Sequence, residues 1–171
     1  MAHQKRYKLL PALSCIWIAT ASAADIQLSG TVVASACTID TGTRDQTVTF
    51  KQAIAANYDK VGDTSEWQDF ELTLSNCPAS TTQVIALFSG DADDDDITKF
   101  ANTQGSASGM ALQIMTRDHL TEISPADELA VNVDIDIHRA TFPLSARMYT
   151  PTGNVTAGEF NTTVQLTFTY Q

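Results

Sequence analysis

Three sets of residues in this 171-residue chain are of a type that could carry chemistry. Asp91, Asp93, Asp94, Asp95 and Asp96 gather five carboxylates in six positions, the kind of oxygen set a hard cation such as calcium wants. The spacing lacks the glycine of a sharp turn and a closing bidentate glutamate, so a solvated loop after Gly90 is the expected reading. His119 and His138 could ligate zinc or copper, but such centres use three or four His or Cys ligands, and two histidines fall short. Gly105-Ser106-Ala107-Ser108-Gly109 places its serines wrongly for a nucleophile elbow and reads as a flexible loop. No residue here stands out as a catalyst, metal ligand or cofactor holder, and the expectation is a protein that is not an enzyme.

Cysteine is more informative. Cys15 lies inside an amino-terminal segment, and the apolar run before it is too short for a lipoprotein site. Lys5, Arg6 and Lys8 precede the mostly apolar residues 9–20, and Ala21-Ser22-Ala23 fits a small-x-small cleavage site. Residues 1–23 are therefore expected to be an export signal, leaving 148 residues. The run is too short and interrupted to span a membrane stably. In the oxidising space outside the cytoplasm, Cys37 and Cys77 are expected to form a structural disulfide, since a redox motif would need closer spacing. Closing a loop of about 40 residues stabilises a fold by roughly 4 kcal/mol on a chain-entropy model.

Charge excludes some partners. The chain carries 20 acidic and 10 basic residues, a net charge of −10. Three of the basic residues lie in residues 1–23, so the exported chain would carry −13. That sign repels phosphate and argues against nucleic acid and anionic membrane surfaces.

The elements that must position these residues are strands. Period-two alternation, rich in Thr and Val, runs through residues 26–32, 47–50, 70–75, 83–89, 110–116, 130–137, 141–147 and 160–170. Turn signals separate them at residues 41–43, 76–78, 90–96, 105–109 and 151–154. Residues 51–60 are the one place for a helical turn. Many short strands at this spacing argue for a single all-β sandwich domain. Trp67 is expected to pack at a strand edge rather than to serve as a sugar platform.

Two alternating segments sit at the two ends of the exported chain. The first, ADIQLSGTVVASACTID, runs into the first cysteine. WQDFELTLSNCP holds the second. TAGEFNTTVQLTFTYQ closes the chain, with Gly158 fourteenth from the end and Tyr170 penultimate. In this combination the whole exported chain resembles the type 1 fimbrial subunit family of chaperone–usher pili. The resemblance implies an incomplete immunoglobulin-like (pilin) β-sandwich lacking its last strand, completed by a donor strand from a neighbour. It implies a donor-strand extension at 24–36 and a pilin domain at 37–171. Ile26, Leu28 and Val32 would plug a neighbour's groove, and Gly30 would sit where the groove admits no side chain. Gly158, Val164, Leu166, Phe168 and Tyr170 would form the strand beside this chain's own groove, facing a chaperone. The implied partners are a periplasmic pilus chaperone, an outer-membrane usher and neighbouring fimbrial subunits. The implied destination is the cell surface, reached through the periplasm. The Trp67 segment, Phe100-Ala101-Asn102 and Phe142-Pro143-Leu144 most resemble minor tip-adaptor subunits. A major rod subunit and a tip receptor-binding module are the alternatives.

Overall fold

The computed structural model describes residues 36–171. They form two antiparallel sheets. In the larger, the order is β1 (Thr38–Ile39), β2 (Gln68–Ser75), β8 (Ala140–Tyr149), β5 (Ala111–Thr116) and β4 (Phe100–Ala101), with β6 (Glu122–Ile123) also on β5. The smaller contains β7 (Glu128–Asn132), β3 (Gln83–Ser89) and β9 (Gln165–Tyr170) in that order. The domain is an immunoglobulin-like sandwich that lacks a strand.

Alternation builds the core. Leu72 and Leu74 of β2, Val84, Ala86 and Phe88 of β3, and Ala140, Phe142, Leu144 and Ala146 of β8 are buried between the sheets. Side chains of period two on one face of each sheet meet across the sandwich, and that burial is the main stabilising term. Pro143 lies within β8, a central strand, where a missing N–H normally costs a ladder bond. Its carbonyl accepts from Arg117 N at 3.0 Å, just past the last β5–β8 pair, Thr116↔Leu144. The absent N–H points to that same side, beyond the end of the β5 ladder.

The Cys37–Cys77 disulfide is formed, with both residues buried. It fastens the start of the domain to the end of β2. Several local expectations change. Residues 47–50 form no strand, because no strand among the described residues offers them a ladder. The strand expected over 130–137 ends at Asn132. A tight loop follows it, closed by an Asp134↔Arg139 bridge. The turn at 41–43 is a helical turn, α1 (Thr41–Arg44), and residues 51–60 keep only a 3-10 turn at Ala55–Asn57. The alternation over 160–170 enters a ladder only from Gln165.

Candidate functional site

The strand expected over 160–170 and the segment expected over 47–50 face each other across an open groove of about 780 Å³. Its floor is the core itself: Phe70, Leu72, Phe88, Leu112, Ile114 and Ala146. One wall is residues 43–50 and the other residues 160–168. Strand pairing explains why the groove stays open. β9 pairs with β3 alone, so among the described residues its second edge carries no ladder. Gln171 both donates to and accepts from Gln83, which sets the odd-numbered residues of β9 toward β3. The even-numbered residues therefore turn N–H and C=O to the open side. The same even positions carry the inward side chains, since both alternations have a period of two.

Val164, Leu166 and Phe168 line the groove, and Tyr170 packs on the core beyond it. All four are only half-buried, unlike the sealed apolar residues of β2 and β8. Phe168 lies 5.8 Å from Phe142, ring centre to ring centre. Burial pushes the Tyr170 phenol above its ordinary range, in keeping with its apolar setting.

The walls are anchored from outside. Thr43 Oγ1 donates to Thr73 O at 3.0 Å and accepts from Thr73 N at 2.7 Å, which holds the first wall to β2. The second wall is held by Asn102. Its Oδ1 accepts from Asn161 N at 2.7 Å, and its Nδ2 donates to Ala107 O at 2.8 Å and Glu159 O at 3.1 Å. Gln104 N donates to Asn161 O, and Thr162 Oγ1 to Ala101 O. Gly158 lies flat against the backbone of Ser106 and Ala107, where a Cβ would collide. Phe50 and Phe160 meet edge to face at 5.9 Å, one from each wall. Beyond them a second hollow of about 610 Å³ continues the groove past Tyr58, Met110 and Met148. No local pattern marks Asn102 as an anchor, because two of its three backbone partners, at Glu159 and Asn161, lie far along the chain.

The other candidates are otherwise engaged. Asp93 Oδ1 accepts from the N–H groups of Asp95 and Asp96, and Asp96 pairs with Lys99 at 3.2 Å. Burial alone would lower the Lys99 ammonium, but its contacts with Glu122 and Asp96 raise it above the ordinary lysine range. His138 Nδ1 lies 3.0 Å from Cys77 O. His119 stacks on Trp67 at 4.3 Å, and the Arg147 guanidinium lies 4.1 Å from the centre of the same indole. Trp67 is thus covered by its own chain. Among the described residues no three His, Cys, Asp or Glu side chains are grouped to hold a metal. Ile26, Leu28, Gly30 and Val32 lie outside the described residues.

A sandwich open along its last strand has close counterparts. The model for the family described as "Fimbrial protein" matches residues 26–171. The chain belongs to the fimbrial protein family. It is 33% identical to protein FimG of Escherichia coli (strain K12) over 168 residues, 97% of each chain. A crystal structure of a Burkholderia pseudomallei antigen and type I fimbria protein is 28% identical, with a TM-score of 0.57 over 79% of this chain and 88% of that one. The P pilus rod subunit PapA shares the fold at 19% identity, with a TM-score of 0.67 over 79% of this chain and 99% of that one. This fimbrial protein is a subunit of a chaperone–usher pilus, and its neighbours in the fibre are other fimbrial subunits.

Proposed function

We propose that this fimbrial subunit assembles by donor-strand exchange, giving residues 24–36 to one neighbour and accepting another neighbour's extension in its groove. The observation that carries this reading is the apolar groove beside β9, whose floor is the domain's core. An added strand would pair with the free edge through main-chain hydrogen bonds while its alternate side chains fill the floor. Ile26, Leu28 and Val32 are the donor's plugs and Gly30 its close-approach point. Val164, Leu166, Phe168 and Tyr170 receive the strand, with Gly158 fixing the start of that wall.

An open groove over a core is unstable and adhesive, so the subunit needs cover before assembly. A periplasmic chaperone supplies it and an outer-membrane usher exchanges it, after residues 1–23 have directed export and been removed. The subunit's place is a minor or adaptor position, on the strength of the Trp67 segment, Phe100-Ala101-Asn102 and Phe142-Pro143-Leu144. Its role is structural and non-enzymatic.

Unfolding of the oxidised domain, with and without peptides carrying the alternating pattern of residues 24–36, tests the mechanism. The expected result is a marginal domain that gains several kcal/mol from the peptide, on the order of a filled core position or two. A stable, cooperative monomer indifferent to every such peptide would overturn it.

A further inference from the structure

Six large apolar side chains are well exposed among the described residues, and four of them sit at the two ends of β8. Ile135 and Ile137, 69% and 61% exposed, lie on the loop that enters β8. Ile54 and Val61, 64% and 67% exposed, lie on the segment packed against its exit. There Gly62 N donates to Thr150 O at 2.9 Å, and Gly153 abuts the backbone of Asp59, Lys60 and Val61. Ten strand residues separate the two ends, about 30 Å.

The first loop is built rigidly. Asp134 and Arg139 exchange backbone hydrogen bonds at 2.8 and 3.2 Å. Asp134 Oδ1 accepts from Asp136 N and Ile137 N at 3.0 and 3.3 Å. His138 takes a left-handed backbone, φ 52°, and its carbonyl accepts from Cys77 N at 3.0 Å while its ring meets Cys77 O. The loop is therefore clamped to the disulfide at which the chain leaves the domain toward residues 24–36. Two exposed isoleucines on a rigid loop are a surface prepared for contact, because little side-chain and loop ordering remains to oppose it.

We infer that the 135–137 loop packs against the fimbrial subunit that receives this chain's 24–36 segment. It meets a pole of that neighbour built like the pole at Ile54, Lys60 and Val61 here. This rests on the strand-exchange reading above, which brings the receiving subunit to the Cys37 end. One pairing of opposite charge is available to the match, although Asp59 and Asp63 flank Lys60. Asp136 stands between the two isoleucines and Lys60 beside Val61, and neither is in an ion pair among the described residues. The contact is head-to-tail, as a link between successive subunits of an open fibre must be.

A photo-crosslinking amino acid, p-benzoylphenylalanine, placed at Ile137 in the full chain tests this in cells that assemble the fimbria. Leu120, 82% exposed on the turn after β5, is the control position. Irradiated fibres are expected to show an adduct from position 137, mapping to the neighbour's segment equivalent to 54–62, and none from Leu120. D136K is expected to lower that adduct severalfold while leaving fibre incorporation and the disulfide intact. No adduct at 137, or one only with chaperone or usher, overturns the inference while the strand-exchange reading stands. A chain that never enters fibres overturns both.

Discussion

Phe142 and Phe168 are the same residue, 5.8 Å apart, in different circumstances. Phe142 belongs to β8, which is paired on both sides, and it is fully buried. Phe168 belongs to β9, paired on one side, and stays half-buried over the groove. The closed region already draws its stability from this chain. The open one leaves apolar area uncovered among the described residues, the area that the proposed donor strand would bury.

Substitution should separate the two regions. Phe142→Ala is expected to cost about 3–5 kcal/mol in urea unfolding whether or not the groove is filled. Phe168→Ala should cost about 1–2 kcal/mol in the open domain and approach the Phe142 value once a donor peptide binds. Equal costs in the open domain would erase the distinction. Replacing Cys37 and Cys77 together with alanine should cost roughly 4 kcal/mol and loosen the first wall, read by faster hydrogen exchange across residues 39–50.

Asn102→Ala removes three hydrogen bonds to the backbone of Ala107, Glu159 and Asn161 and should cost about 1–3 kcal/mol. Its effect on peptide affinity should exceed that of a change on the closed sheet of equal cost. The smallest effect is electrostatic and belongs to the closed region. Burial would raise the Asp96 carboxyl, but hydrogen bonds from Thr98 and the contact with Lys99 hold it below the ordinary aspartate value of 3.8. Its contribution is therefore present above that pH and lost as pH falls below it. The Lys99 ammonium, raised above 10.5, contributes below that pH and loses its contribution as pH climbs past it. D96N should flatten the acid limb of stability below about pH 4 and leave groove binding unchanged, as titrated unfolding would show.

Alternation made the large strands legible because side-chain period and burial coincide in β2, β3, β8 and β9. It could not mark β1, β4 and β6, which have only two residues each and depend on a partner's edge. It overstated 47–50 and 160–164 for the complementary reason: both have strand sequence but no strand to pair with among the described residues. The groove was legible as an implication of the family's motifs at Gly158 and Tyr170. Its support from Asn102, and the continuation past Met110 and Met148, depend on contacts between distant segments that no local pattern announces.

The disulfide has a mechanical consequence. On the strand-exchange reading proposed above, force in a fibre under tension reaches this domain through residue 36 and meets Cys37 first. β1 holds the sheet through only two residue pairs, Thr38↔Ser75 and Ile39↔Leu74, a short ladder to resist a pull. The covalent bond to Cys77 carries the load past it to the end of β2. There seven residue pairs with β8, from Gln68↔Ala146 to Leu74↔Ala140, share it. The bond acts as a strain relief at the cable's entry.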